Sequence, residues 1–162
     1  MKKLLAIVLL LVLVLSLSAV AFADGSPVKE VTPGDLPGES DAVKKATVAN
    51  KWGDAKIVAI KDMNEAQKEA LDKALEKLTE KNKTEAEKAM PVDAFAVESI
   101  DAATVTIELE ESAVVYIFYS DGTIVKLYVK DLTKAPDGRY LIPGCYLIPV
   151  DCSCTIIIAK PV

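Results

Sequence analysis

Hydrophobic and polar positions alternate with two different periods along this chain. Ala70, Leu71, Ala74, Leu75 and Leu78 recur at helical spacing and form one apolar stripe. Glu69, Asp72, Lys73, Glu76 and Lys77 decorate the other side. Asn64 with Gln67 three positions on is a capping box, so the pattern predicts a helix over about 64–82 that fades at Lys81-Asn82-Lys83. Thr84 with Glu87 reads as a second cap, starting a short helix that Pro91 ends. A stripe of alanine and leucine without aromatics suits packing on a sheet.

After Pro91 the period falls to two. Phe95-Ala96-Val97 reads as a strand, and Val105, Ile107 and Leu109 alternate with Thr104, Thr106, Glu108 and Glu110. Residues 113–119 and 123–130 flank Asp121-Gly122, a two-residue hairpin signal. With that loop, Phe118 faces Val125, Tyr116 faces Leu127 and Val114 faces Val129, on one face. Val115, Ile117, Tyr119, Ile124, Lys126 and Tyr128 share the other. Both faces are largely apolar, which predicts a central hairpin covered on both sides. Ala135-Pro136-Asp137-Gly138 reads as a turn before a strand at Arg139, and residues 154–159 as the last strand. Upstream, residues 56–61 read as a strand, residues 41–49 fit either a short helix or a strand, and Trp52 reads as a core anchor.

The sum is α+β: an antiparallel meander or sandwich with one amphipathic helix packed on the sheet. Residues 41–162 form the expected single domain, β-rich over 92–160. Residues 24–40, with three prolines and three glycines, read as a flexible leader.

The N-terminus sets the compartment. Lys2 and Lys3 precede an apolar run from Leu4 to Leu15, and Ala21-Phe22-Ala23 is a small-x-small cleavage site, so residues 1–23 read as a signal peptide. The competing reading is an uncleaved anchor, because Leu4 to Ala23 is about the length that spans a bilayer. Cleavage would remove 2 of 19 basic and none of 24 acidic residues, leaving 17 against 24, a net charge of −7. That balance gives no basic footprint for nucleic acid. The chain has no histidine, which removes the usual proton shuttle, metal ligand and triad base. No G-x-S-x-G stands in the mature chain, nor any glycine-rich phosphate loop. No catalytic, metal or cofactor residue is assigned. Glu108, Glu110, Glu111 and Asp121 read as solvated surface.

Gly138 to Pro149 reads GRYLIPGCYLIP, one hexapeptide written twice with Arg139 replaced by Cys145. A tandem duplication explains the match, and an insertion of even length preserves side-chain alternation. Pro143 and Pro149 lack an N–H, so the extra copy is expected to loop out or lengthen an edge. Cys145 sits in that repeat, with Cys152 and Cys154 just after it. Three readings stand: buried thiols, a disulfide involving Cys145, or metal or redox chemistry. Tyr119, Lys126 and Tyr128, with Tyr140 or Tyr146, are a candidate aromatic platform for a sugar or peptide, against ordinary packing under the helix.

Tyr116-Ile-Phe-Tyr-Ser-Asp-Gly-Thr, Asp137-Gly-Arg-Tyr-Leu-Ile-Pro and Cys154-Thr-Ile-Ile-Ile-Ala-Lys together resemble the small β-rich modules of Gram-positive secreted and cell-surface proteins, over about residues 92–160. The resemblance implies an extracellular structural or adhesion-type module with no catalytic residues to carry over. The expected function is a secreted, non-enzymatic envelope module that binds a protein or glycan through exposed sheet surface, without nucleic acid and without a membrane after signal cleavage. The alternative is a secreted inhibitor or accessory subunit of an extracellular enzyme, acting through the proline-rich segment 141–150.

Overall fold

In the computed structural model, residues 28–137 and 140–162 are described. The signal peptide, its cleavage site and Arg139 lie outside them. Nine strands form two antiparallel sheets among the described residues. Sheet I contains β1 (Thr47–Asn50), β4 (Ala103–Glu108), β7 (Lys134–Asp137) and β8 (Tyr140–Val150), in the order β1-β4-β8-β7. Sheet II contains β2 (Lys56–Ala59), β3 (Ala89–Glu98), β5 (Val114–Tyr119), β6 (Ile124–Tyr128) and β9 (Cys154–Pro161), in the order β2-β3-β9-β5-β6. The non-sequential order makes this a sandwich rather than a meander. A five-residue helix α1 (Asp41–Lys45) precedes β1, and the main helix α2 (Glu65–Thr84) precedes β3.

Alternation along the strands builds two cores. Val105, Ile107, Tyr146, Ile148 and Val150 of sheet I meet Phe95, Val97, Val115, Ile117, Ile156 and Ile158 of sheet II. The other face of sheet II presents Ala94, Ala96, Val114, Tyr116, Phe118, Ile157 and Ala159 to Leu71, Ala74, Leu75 and Leu78 of α2. Each buried leucine stabilises this layer by about 1.5–3 kcal/mol. The helix begins as its sequence predicts: Asn64 accepts from the Gln67 N–H (2.8 Å), and Gln67 accepts from the Asn64 N–H (3.0 Å). It continues through Asn82 because that residue is buried and bonded to Ala89. No second helix follows. The chain turns at Glu85, and β3 starts before Pro91, which pairs with Ala159 beside a register shift.

The described part of the expected leader, residues 28–40, belongs to the domain. Val31 and Leu36 are buried against the α2 layer, and the Lys61 N–H donates to the Gly38 carbonyl. The Ser40 hydroxyl accepts from the Val43 N–H to cap α1 and donates to the buried carboxylate of Asp93.

The β5–β6 hairpin differs from its predicted register by one residue. The loop has three residues, Ser120 to Gly122. The Tyr119 N–H bonds the Thr123 carbonyl, and the Gly122 N–H bonds the Tyr119 carbonyl. Only Gly122 takes positive φ, at 90°. Asp121 instead accepts from the Thr123 N–H through its side chain. Phe118 therefore pairs with Ile124, Tyr116 with Lys126 and Val114 with Tyr128. A slip of one residue exchanges the faces of a strand. Val125 and Leu127 accordingly turn to the inter-sheet core, and Ile124 to the helix side. β5 is interior, and β6 is an edge strand.

From Tyr140 onward, the doubled hexapeptide lies within one long strand rather than a loop. The second copy pairs with β4, from Glu108↔Cys145 to Ala103↔Val150. The first continues past β4 and pairs with β7 through Pro136↔Leu141 and Asp137↔Tyr140. The copy thus lengthens a hairpin. Neither proline breaks a ladder. Pro143 falls in the irregularity between Lys134 and Pro136, where Gly144 takes φ 79°. The Leu147 N–H points to Thr133, so two residues on the missing N–H of Pro149 faces beyond the start of β7.

Candidate functional site

The fold divides the predicted tyrosine platform. Tyr119 lies on the inter-sheet side of β5, and its hydroxyl accepts the backbone N–H of Asp151 (3.0 Å). Burial raises its pKa. Lys126 and Tyr128 lie together on the helix side of β6, at the rim of a cleft of about 440 Å³ also lined by Glu87, Lys88, Glu111 and Lys130. The Lys126 ammonium is 5.3 Å from the Tyr128 ring centroid and 5.8 Å from that of Tyr116, and pairs with Glu85 at 3.3 Å. Its burial opposes the charge. Tyr128, Tyr116 and Glu85 outweigh that effect and raise its pKa. Lys130 lies 5.6 Å from the Tyr128 ring, and the Tyr128 hydroxyl donates to Glu87 (3.1 Å). Two ammonium groups thus crowd the ring that a sugar would stack on. Tyr116 is fully buried, and its hydroxyl has no hydrogen-bond partner among the described residues. Tyr146 is buried between the sheets, and the Tyr140 side chain lies outside the described residues.

The three cysteines do not converge, and all three are free. Cys145 stands five residues before the end of an extended strand, about 16 Å along it. Cys152 lies in the β8–β9 turn beyond that end, outside the roughly 7 Å Cα separation that a disulfide spans. A Cys145–Cys152 bridge is therefore excluded by the fold. Cys154 is buried at the start of β9. Burial, then the neighbouring Cys152 and Asp151, push its thiol up to about 12, so it stays protonated and unreactive.

Sequence reasoning missed a different site. Trp52, expected in the core, is 65% exposed, and Ile100 is 80% exposed. They occupy neighbouring loops at one end of the sandwich. The Asn50 side-chain oxygen accepts the N–H groups of Trp52 (3.1 Å), Gly53 (2.7 Å) and Asp54 (3.3 Å), with Gly53 at φ 71°. The Asn50 amide donates to Asp54 and to the Ser99 hydroxyl. Ser99 and Ser153 bond through the Ser153 N–H (2.9 Å), the Ser99 N–H (3.0 Å) and the Ser153 hydroxyl (3.1 Å). The Trp52 indole N–H donates to Asp101. Three loops are thereby clamped together, and the indole is fixed next to the neighbour of Ile100. The local sequence carried the signal: Asn50, Gly53 and Asp54 are turn formers that bracket a lone aromatic.

This loop end adjoins the outer face of sheet I. The face carries the cross-strand rows Thr47–Thr106–Leu147 and Ala49–Thr104–Pro149, and then Glu108 beside Cys145. Thr47, Ala49, Thr104, Glu108 and Pro149 are exposed, and Thr106, Cys145 and Leu147 half-buried. Sheet II, by contrast, is covered on both faces. Beside α2, a trough of about 540 Å³ opens where Ala70 and Ala74 oppose Ala96 and Thr155. No helix among the described residues is long and apolar enough to cross a membrane. Comparison of the chain with family models, with curated proteins and with solved structures finds no match.

Proposed function

We propose that this chain is a secreted, non-enzymatic module that binds a protein or glycan at the cell envelope through the outer face of sheet I and the adjoining loop end. The observation that carries this reading is the contrast between the two sheets. Sheet II has the helix layer on its outer face, whereas sheet I leaves threonine, alanine, leucine and proline on its own. In a chain with 27% charged residues, Glu108 is the one charged side chain in those rows. A flat face poor in charge costs little to desolvate against a partner. The N-terminal pattern supports export.

Fractionation of an expressing culture tests the proposal, with intact mass reporting cleavage after Ala23. The protein is expected in the envelope fraction, and a Thr104→Glu/Thr106→Arg variant is expected to shift to the medium. Unchanged retention of that folded variant rules out the sheet face, and cytosolic residence of the mature form rules out export.

A further inference from the structure

We infer that the Trp52–Ile100 loop end is a protein-docking knob whose partner presents an apolar pocket with a basic rim. The inference rests on the binding-module reading above and narrows it to one surface and one class of partner.

Three observations carry it. Trp52 and Ile100 are the two most exposed large apolar side chains of the loop end, and the indole bonds Asp101, the residue that follows Ile100. Their loops are held by the Asn50, Ser99 and Ser153 bonds, and the indole is oriented by Asp101, so little ordering entropy is lost on binding. An exposed tryptophan held in place in this way has the character of an interface hot spot. Finally, Asp54, Asp101 and Asp151 of these loops are exposed and make no ion pair among the described residues. Lys51, 5.1 Å from the indole centroid, is the cation beside them. Three carboxylates around an apolar centre call for Lys or Arg on the facing surface.

Other occupants fit less well. A lipid surface would meet three carboxylates and an indole N–H already committed to Asp101, whereas interfacial tryptophan serves membranes with its N–H toward the headgroups. A sugar would stack on an open ring face and bond to polar neighbours. Here Lys51 lies over the ring, and Ile100 offers neither donor nor acceptor.

Trp52 is the sole tryptophan, so its fluorescence reports on this surface alone. The test titrates the purified secreted protein with isolated envelopes of the producing cells. The envelopes are used untreated, protease-digested or periodate-oxidised, and protein-free anionic vesicles are a fourth probe. Untreated and periodate-oxidised envelopes are expected to shift the emission to the blue and protect it from acrylamide. Digested envelopes and vesicles are expected to do neither, and added salt should weaken the binding. Trp52→Ala should weaken pelleting with envelopes by about 30-fold or more. Ile100→Ser, which keeps the fluorophore, should weaken it in the same direction. Both sites are exposed, and the melting temperature of each variant checks its fold. Binding that survives protease, or is lost on periodate oxidation, overturns the protein partner. Unchanged binding by both variants overturns the knob. If the sheet-face variant alone then loses binding, the module reading stands while this inference falls. Absence of any envelope binding overturns both.

Discussion

The side-chain amide of Asn82 makes both hydrogen bonds to Ala89 that a neighbouring strand would make. Its nitrogen donates to the Ala89 carbonyl at 2.8 Å, and its oxygen accepts the Ala89 N–H at 3.1 Å. The residue is 5% exposed, at the point where the helix hands over to β3. Asn82→Ala leaves two buried backbone groups unpaired and should cost about 2–4 kcal/mol in urea unfolding. Asn82→Asp keeps the size but loses the donor to the carbonyl, and should also destabilise. A loss under about 0.5 kcal/mol for the alanine variant would show that water replaces the amide.

Asp93 gives the fold a pH dependence of unusual sign. Burial raises its carboxyl pKa above 3.8, against the lowering effect of the Ser40 hydroxyl and the Ala94 N–H. The folded state therefore holds this proton more tightly than the unfolded chain. The associated stability is fully present below the unfolded pKa and is lost as pH rises through the folded one. Asp93→Asn does not titrate there, so it should gain stability relative to the wild type as pH rises through that window. Urea melts in a series from acid to neutral pH measure the difference, and parallel curves would contradict it.

The thiols should sort by exposure. Under native conditions an alkylating reagent should add to Cys145 and Cys152, which are partly exposed, and spare Cys154, which is buried with its thiol pushed up to about 12. Urea should release the third site. Intact mass checks the count, and a mass two hydrogens short before alkylation would reveal a disulfide and contradict the separation of Cys145 from Cys152.

Tyr116→Phe should leave stability unchanged or raise it by up to about 1 kcal/mol. The hydroxyl it removes is buried with no geometric hydrogen-bond partner among the described residues, so relief of its desolvation cost outweighs the loss of its electrostatic contact with Lys126. Destabilisation beyond that range in thermal unfolding would mean that the hydroxyl is bonded in solution.

The helix and most strands were legible because their periods are local. Asn64, Gln67 and the leucine stripe specify α2 without reference to the rest of the chain. The register of β5 against β6 was not, since both faces of the hairpin are apolar and neither register buries a charge cluster. The glycine of Asp121-Gly122 suits a two-residue loop and equally a three-residue loop with glycine last, and the Asp121–Thr123 bond favours the second. Sheet order was beyond local reading as well, because β8 pairs with β4, about 40 residues upstream, and β1 pairs with β4 across an even longer stretch. For the site, Lys126 and Tyr128 were found together, while Tyr119 went to the other face with the one-residue slip. Trp52 was misplaced because a large aromatic defaults to the interior. The turn formers around it carry more weight than its own apolar surface.

The duplicated hexapeptide has an evolutionary corollary. Only the later unit is stitched to β4, and it brings Tyr146 and Ile148 into the interior, so the earlier unit extends an arm without touching that stitching. Losing or gaining one six-residue unit there would change the reach of that arm by an even number of residues and leave the inter-sheet contacts of β8 in place.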